Sequence, residues 1–127
     1  MNSEEKSEKL KRILLNWQKS MSDFDEVNVR QAMRSTTKAD VAIRMCHPFG
    51  DLENSDNIYE KIYLPLNASL PDLERRDLIV IAGCTPEGDH WIGCMGNYMG
   101  TFLAPFLGIP ATGRLAHMRY HEFFRIE

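Results

Sequence analysis

Residues 100–114, GTFLAPFLGIPATGR, carry the most specific pattern in the chain. Three glycines and two prolines interrupt the apolar residues of this stretch, which predicts an irregular loop from Ala104 to Gly113. The glycines follow neither the GxGxxG nor the GxxxxGKS/T spacing of phosphate-binding loops, and the residues after Arg114 do not read as a helix. We therefore expect this loop to connect two strands and not to hold a phosphate.

The segments on both sides of the loop predict an antiparallel meander. Residues 90–102 read as one strand and residues 114–126 as the last strand. Upstream, Leu78–Ile81 is typical of a buried strand, and Pro86–Asp89 predicts a hairpin turn. The glycines of the 90–102 segment indicate strong bending or a β-bulge in it: Gly93, Gly96 and Gly100.

The first half of the chain predicts three helices. Between Glu4 and Ser20, apolar residues recur at helical spacing opposite a face of Lys and Glu. A second, shorter helix is expected to start at an Asp23 cap and to include Val27 and Met33. A third covers residues 55–69, where Pro65 predicts a kink or an early end.

One further strand is expected between the second and third helices. Residues 39–47 alternate in character, and the chain then turns at His47-Pro48. Helices followed by an antiparallel meander form an α+β layout. The length of 127 residues suits a single domain over residues 1–127.

These features resemble the SnoaL-like polyketide cyclases, a family of the nuclear-transport-factor-2-like or ketosteroid-isomerase-like superfamily. The family signature is Gly-Thr-His-x-Gly, a few residues, and then Gly-Ile-Pro-x-Thr-Gly-Arg, and residues 100–114 follow most of it. Pro71-Asp72-Leu73, His47-Pro48 and residues 122–126 are similar as well. The resemblance implies a cone of three N-terminal helices packed on a curved antiparallel sheet, with a pocket on the concave face. It also implies a homodimer whose convex sheet faces pack together.

The chain departs from the family pattern at three places. Phe102 stands where the family has His, and Leu103-Ala104 replaces x-Gly. Family members continue beyond the position of Glu127 with Asp-Gly-Lys-Ile and a further strand, on which the resemblance places the acid/base aspartate. We therefore expect this domain to lack its C-terminal strand and to be a fragment of a longer protein; the alternative is that a partner completes the sheet.

The composition limits which kinds of partner and which cellular compartment we expect for the protein. With 26% charged residues and a net charge of -3, the chain has no dense basic stripe to bind nucleic acid. Its 3 cysteines are odd in number and form no CxxC, which favours a reduced, cytoplasmic compartment. No apolar run approaches the length of a secretory signal or a membrane span, so no membrane partner is expected.

Glu122 and His47 are the candidate catalytic residues. Alternation in the last strand places Glu122 on the same face as apolar side chains. A lone carboxylate among apolar neighbours holds a proton more readily than in water, which is what a general acid or base needs. The alternative is that Glu122 pairs with an arginine or a backbone donor. His47 ends the apolar face of the 39–47 strand, where it either moves a proton or caps the strand end.

Other side chains are candidates for lining the pocket. Tyr98 and Tyr120 could hold a carbonyl oxygen through their hydroxyl groups, although each could instead belong to the core. Trp17 lies on the apolar stripe of the first helix, which in such cones often covers the pocket. His117 and His121 share a strand face but stand about 13 Å apart by strand rise, so they cannot share a metal. The ligand-binding candidates are Tyr98, Tyr120, Phe102, Met118, Phe124 and Trp17.

Two functions remain open from the sequence. The first is a cyclase or isomerase that needs no cofactor or metal and moves a proton in a small apolar carbonyl compound. The second is a non-catalytic ligand-binding or dimerisation module, which the loss of the signature histidine at Phe102 favours. Fold alone does not decide between them.

Overall fold

The computed structural model describes residues 2–127 as helices in the first half and a three-stranded antiparallel sheet in the second. This confirms the α+β layout. The elements, in chain order, are α1 Ser3–Ile13, α2 Leu15–Ser22, α3 Glu26–Thr36, β1 Ile43–Arg44, β2 Asp51–Leu52, α4 Ser55–Ile58, a π-helical turn Tyr59–Tyr63, α5 Leu64–Ser69, β3 Glu74–Cys84, β4 His90–Thr101 and β5 Leu115–Ile126.

The first predicted helix is divided at Leu14. Asn2 caps α1 through a capping box with Glu5. Leu14 is buried and lies between α1 and α2, so the apolar stripe changes direction there. As a result, α1 has no buried residue, whereas α2 buries Trp17 and Met21. The helix that covers the sheet centre is therefore α2.

The second helix starts two residues later than expected. Its cap is Asp25, whose carboxylate accepts a hydrogen bond from the Asn28 N–H, and not Asp23. Val27 is exposed, and Val29 and Met33 face the core. Val29 and Met33 are four residues apart and share one helix face, whereas Val27 is six residues from Met33 and lies on another face.

The third helical segment spans residues 55–69 as expected, and it passes Pro65 without ending. Ile58, Ile62 and Leu66 are all buried. Proline lacks an N–H and its ring clashes with the carbonyl four residues earlier. The π-helical turn Tyr59–Tyr63 precedes Pro65 and places it in the first turn of α5, where that missing N–H is tolerated. The predicted irregularity therefore takes the form of a widened turn.

The strand expected over residues 39–47 is wrong in length. Only Ile43–Arg44 pairs, and its partner is Asp51–Leu52 across the turn at His47-Pro48. Ile43 and Met45 still pack against the core, while the intervening residues are exposed. The burial still alternates from Val41 to Cys46, with the odd-numbered residues half-buried, although the pairing covers only two residues.

The large sheet has the order β3-β4-β5. The hairpin turn at residues 86–89 is confirmed, with Gly88 at a φ of 92°. A bulge interrupts the pairing, but it lies in β3 at Leu78 and not in the glycine-containing β4, whose register with β5 is continuous. The inward face of β4 and β5 consists of even-numbered residues, as the alternation predicted.

The prediction that Leu78–Ile81 is a buried strand is wrong. Leu78, Ile79 and Ile81 are more than half exposed, and only Val80 packs against the core. An unbroken apolar run in a sheet covered on one face places about half of its side chains on the open face. Ile79 and Ile81 therefore lie on the outer face of the sheet, beside Trp91 and Phe123.

The signature loop is anchored to the helical layer and to β4. The Leu103 N–H donates to the Ser69 carbonyl at 2.9 Å, and the Ser69 hydroxyl donates to the Pro105 carbonyl at 2.8 Å. The Asp72 carboxylate accepts the Thr101 N–H at 2.7 Å and the Thr101 hydroxyl at 2.8 Å, which hold the pKa of Asp72 below its ordinary value. Two of the segments that carried the family resemblance thus meet in the structure.

Candidate functional site

A buried arginine lies at the centre of the inward sheet face. Arg75 is 3% exposed and comes from β3 opposite Tyr98 of β4. Burial works to lower the pKa of Arg75, but the neighbouring Tyr98 and Glu122 and the hydrogen bond to Asp77 raise it above its ordinary value. A guanidinium can stay buried as a cation only when its charge and its N–H donors are matched.

Two carboxylates share this guanidinium. Arg75 Nη2 lies 3.0 Å from Asp77 Oδ1 and 2.8 Å from Glu122 Oε2. Arg75 Nη1 donates to Glu122 Oε1 at 3.0 Å, and Arg75 Nε donates to Asp77 at 3.3 Å. The Asp77 and Glu122 side chains keep 15% and 18% of their surface exposed, so the cluster reaches solvent at its two negative ends.

Glu122 is therefore not a lone carboxylate. The expectation of purely apolar neighbours is wrong, and the arginine pairing considered as the alternative is what the structure contains. The partner is Arg75 of β3, and both Glu122 oxygens contact its guanidinium, Oε1 at 3.0 Å and Oε2 at 2.8 Å.

Asp77 is held more completely than Glu122. It accepts from both Arg75 Nε and Arg75 Nη2, and the Tyr120 hydroxyl donates to Asp77 Oδ1 in a short hydrogen bond. Burial, followed by this hydrogen bond to Asp77, raises the pKa of Tyr120 above its ordinary value. The Tyr120 ring also stacks below the guanidinium, with Arg75 Cζ 4.1 Å from its centroid.

Gly96 and the β3 bulge make this approach possible. Gly96 pairs with both Asp77 and Tyr120, and the bulge at Leu78 follows directly. A Cβ at Gly96 would lie 2.0 Å from the Arg76 carbonyl oxygen and 2.5 Å from the Tyr120 hydroxyl. The local backbone is thus shaped around the Tyr120–Asp77 contact.

A chain of tyrosines leads from Glu122 into the helical layer. The Tyr98 hydroxyl accepts from Arg75 Nη1 at 3.2 Å and lies 3.3 Å from Glu122 Oε1 and 3.4 Å from the Tyr63 hydroxyl. Burial is the largest cause that raises the pKa of Tyr63 to about 12. Both tyrosines are therefore neutral hydroxyl groups at neutral pH and serve as donors and acceptors, not as anions.

Trp17 borders the same cluster from α2. Its ring packs edge-on against Phe124 at 5.5 Å, and its indole nitrogen lies near the Tyr63 hydroxyl. Within residues 2–127, that buried N–H has no hydrogen-bond partner of normal geometry. The indole nitrogen thus lies beside the Tyr63 hydroxyl, and Glu122 Oε2 lies beside Arg75 Nη2.

The other predicted residues divide into two groups. Tyr98, Tyr120, Phe124 and Trp17 lie on the inward side, as expected. Met118 is on the same face, opposite Tyr98 on the edge strand β5, and is exposed, while Phe102 is half-buried at the start of the loop. His47 is exposed in the turn after β1, and the part of the chain that the structure describes contains no hydrogen bond between it and the Arg75 cluster.

Sequence reasoning missed Arg75, Asp77 and Tyr63. The alternation of Arg75 and Asp77 ahead of the apolar run Leu78–Ile81 is the signal that could have found them, because both then share one strand face. Burial also raises the pKa of Cys94, near this cluster, to about 11, which disfavours the nucleophilic thiolate.

Two surface depressions lie away from this cluster. One is open and on the outer sheet face, about 400 Å³ in volume, with Ile81, Trp91 and Phe123 in its wall. The other runs along α1. Over residues 2–127, no helix is long and apolar enough to cross a membrane, and no group of three or more acidic, His or Cys side chains is arranged to hold a metal ion.

Comparison with solved structures assigns the fold. A protein from Jannaschia sp. CCS1, described as a proposed SnoaL-like polyketide cyclase, superposes on this chain with a TM-score of 0.71 at 19% identity. The match covers 95% of this chain and 78% of the other. The chain has a SnoaL-like fold. A proposed polyketide cyclase from Pseudomonas putida KT2440 gives a TM-score of 0.62 at 15% identity, over 91% and 80% of the two chains.

The SnoaL-like fold is also found in a neighbour with a different name. AclR, a proposed hydroxylase from Streptomyces galilaeus, gives a TM-score of 0.69 at 16% identity, over 94% of this chain and 68% of the other. No family model matches the sequence, and no curated protein matches it. These likenesses show the fold alone, and the chemistry depends on the residues of the site.

Proposed function

We propose that this SnoaL-like domain binds a small apolar carbonyl compound at the inward sheet face and moves a proton within it, with Glu122 as the general base. The observation that carries this proposal is the state of the Glu122 carboxylate. Its side chain is 18% exposed, its Oε1 accepts a hydrogen bond from Arg75 Nη1 at 3.0 Å, and its Oε2 lies 2.8 Å from Arg75 Nη2. Asp77 is the poorer candidate because Arg75 and Tyr120 occupy its oxygens.

The chemistry balances without a further reagent. Glu122 takes a proton from the carbon next to the carbonyl, and the electron pair of that C–H bond moves to the carbonyl oxygen as an enolate. In an isomerisation, the protonated Glu122 returns the proton to a different carbon. In a cyclisation, the enolate carbon forms a C–C bond with a second carbonyl carbon, whose oxygen then takes the proton. Both routes restore the carboxylate.

The test uses β-tetralone, an apolar ketone with acidic protons beside its carbonyl group. Its exchange of those protons in deuterated water is followed by proton NMR with and without the protein. Wild type is expected to exceed the buffer rate, and Glu122→Gln is expected to lower the protein-dependent rate about 100-fold, which is the usual contribution of a general base. The matched control is Asp77→Asn, which removes the other carboxylate from Arg75 and should keep most of the rate.

The outcomes separate the two functions. If Glu122→Gln exchanges at the wild-type rate, or if wild type never exceeds buffer, then Glu122 is not a base and the non-catalytic ligand-binding module becomes the better assignment. If Asp77→Asn alone abolishes exchange, the base is Asp77 and the assignment to Glu122 is wrong. Far-UV circular dichroism of each variant confirms that it is folded.

We also propose that the outer face of the sheet forms a homodimer interface, as the family resemblance implies. Phe123 is 70% exposed and Ile81 is 59% exposed, and both lie beside Trp91. Contiguous exposed aromatic and aliphatic side chains mark interaction surfaces. Phe123→Lys is therefore expected to weaken self-association at least about 30-fold, since truncating an interface centre costs about 2 kcal/mol.

Sedimentation equilibrium measures this effect directly. The control is Leu103→Lys, because Leu103 is equally apolar and exposed but lies in the signature loop. A wild-type monomer at high micromolar concentration, or equal weakening by both variants, would contradict the assignment of the interface to the outer sheet face.

A further inference from the structure

The hydroxyl groups of two buried tyrosines lie between the Trp17 indole and the Glu122 carboxylate. Trp17 Nε1 lies beside the Tyr63 hydroxyl, and the Tyr63 and Tyr98 hydroxyls are 3.4 Å apart. The Tyr98 hydroxyl is 3.3 Å from Glu122 Oε1. Burial raises the pKa of Tyr63 and of Tyr98, so each keeps its proton at neutral pH. These four groups therefore form a polar chain in which only the directions of the two hydroxyl protons remain to be assigned.

The two ends of this chain fix its direction. An indole N–H can only donate a hydrogen bond, and a carboxylate can only accept one. The Tyr63 oxygen therefore accepts from Trp17, and the Tyr63 proton points to the Tyr98 oxygen. The Tyr98 proton then points to Glu122 Oε1. In this direction every proton of the chain meets an acceptor, as buried polar groups require.

The reverse direction leaves groups unmatched. If Tyr98 donated to Tyr63, the Tyr63 proton would need another acceptor, and within residues 2–127 its hydroxyl has no hydrogen-bond partner of normal geometry besides Tyr98. The Tyr98 oxygen already accepts from Arg75 Nη1 at 3.2 Å. It would also face Glu122 Oε1 with no proton between the two oxygen atoms, which is unfavourable in a buried site.

A π-helical turn supplies the Tyr63 hydroxyl. The turn Tyr59–Tyr63 has its two tyrosines buried, at its first and last positions. The Tyr63 ring packs edge-on against Phe24 at 6.4 Å and lies 6.2 Å from the Tyr98 ring, so its orientation is held from two sides. π-Helical turns are rare and are frequent at functional sites. The backbone thus departs from a regular helix in the segment that presents this hydroxyl to the cluster.

We propose that Tyr63 is a positioning residue for Glu122, because its hydroxyl accepts from the Trp17 N–H, donates to Tyr98 and so keeps the Tyr98 proton on Glu122 Oε1. A donor to the charged form of a carboxyl group favours that form. Tyr63 therefore acts through Tyr98 on how readily Glu122 takes up a proton. The importance of this for catalysis rests on the proposed function, but the direction of the chain does not.

Tyr63→Phe probes this direction without removing a charge. The titratable groups that face Glu122 come from both neighbouring strands, from β5 itself and from the π-helical turn: Arg75, Asp77, Cys94, Tyr98, Tyr120 and Tyr63. The two tyrosines of the chain differ from the others, because each can turn its proton towards Glu122 or away from it. The protonation of Glu122 therefore reports which way they point.

The experiment follows the Glu122 carboxyl carbon by ¹³C NMR as a function of pH, without any ligand. The signal is assigned by its loss in Glu122→Gln. Tyr98→Phe is expected to raise the titration midpoint by about one pH unit, since the carboxylate loses a donor. Tyr63→Phe is expected to raise it by about 0.3 unit, because the Tyr98–Glu122 bond loses the support of its neighbour. Tyr59→Phe, the buried tyrosine of the same turn, is the control and should leave it unchanged.

The sign of the Tyr63→Phe shift decides between the two directions. In the reverse direction this change frees the Tyr98 proton to turn to Glu122, and the midpoint falls. A lowered or unchanged midpoint in Tyr63→Phe, or an equal shift in Tyr59→Phe, overturns the inference. If Tyr63→Phe is unfolded by far-UV circular dichroism, Tyr98→Phe decides, and a midpoint that does not rise overturns the inference.

β-Tetralone exchange separates this inference from the proposed function. If wild type catalyses exchange, the pH profile of the Tyr63→Phe rate should move up by the same amount as the carboxyl titration. An upward carboxyl shift in a protein that never exceeds the buffer rate supports the inference and contradicts the proposed catalysis. Exchange that depends on Glu122 but keeps its pH profile in Tyr63→Phe contradicts the inference and leaves the proposed function in place.

Discussion

Replacing Arg75 with Met lowers the free energy of unfolding by about 3–5 kcal/mol, because Asp77 and Glu122 are left as buried or half-buried charges without a cation. The same change also leaves the Tyr98 hydroxyl without its donor and removes the guanidinium from the face of the Tyr120 ring. Urea denaturation of wild type and Arg75→Met at neutral pH measures the loss.

The control for this prediction is a surface arginine of the same strand. Arg76 is exposed and pairs with Glu74, and exposed ion pairs contribute about 1 kcal/mol at most. Arg76→Met should therefore change stability far less than Arg75→Met. Equal effects of the two changes would show that Arg75 is not the charge on which its neighbours depend.

Replacing Gly96 with Ala is the second change with a large expected effect. The new Cβ would lie 2.0 Å from the Arg76 carbonyl oxygen, which is backbone and cannot rotate away, and 2.5 Å from the Tyr120 hydroxyl. The β3 backbone and the Tyr120 hydroxyl must then move away from β4, which weakens the Tyr120–Asp77 contact. We expect the free energy of unfolding to fall by about 3 kcal/mol, as for a methyl group forced into a packed site. Urea denaturation measures this loss as well.

Gly83→Ala is the matched comparison for Gly96→Ala. Gly83 belongs to the same sheet, and a Cβ there meets no atom within 4 Å. We expect this change to alter stability by at most about 0.5 kcal/mol, as other exposed substitutions do. If Gly96→Ala changed the free energy of unfolding as little as Gly83→Ala, that result would contradict the close approach of β3, β4 and Tyr120.

Much of the fold was predictable because its signals are local. The bounds 55–69 of the third helical segment follow from apolar spacing, and the hairpin at Gly88 follows from turn chemistry. The alternation of β5 gave its inward face, and the continuous register with β5 extends that face to β4. These elements need no knowledge of distant residues.

The errors arose where tertiary contacts decide. The local sequence does not show that the sheet face of Ile79 and Ile81 is uncovered. A strand with apolar residues on both faces has the same sequence pattern whether one face or both are packed. The bulge lies in β3 although the glycine that accommodates it is Gly96 of β4, so the sequence signal and the irregularity fall on different strands.

The site was predicted in part for the same reason. Glu122 could be placed on the inward face by counting, but its partner Arg75 is 47 residues away in sequence. A carboxylate that looks isolated along one strand can therefore be paired across a sheet. The predicted site residues that lie in the interior are those on the regular strands and on α2. His47 belongs to a segment that pairs over only two residues, and it is exposed.

The central claim is that the charges of Arg75, Asp77 and Glu122 serve binding and proton transfer and not stability. Buried ion clusters can often be replaced by apolar side chains of similar size without loss, although removal of one member is costly. The direct measurement is the urea unfolding free energy of the triple variant Arg75→Met, Asp77→Leu, Glu122→Met, set beside Arg75→Met alone. The account predicts a triple variant within about 1 kcal/mol of wild type or above it. A triple variant as unstable as Arg75→Met would contradict the account and make the cluster part of the structural core.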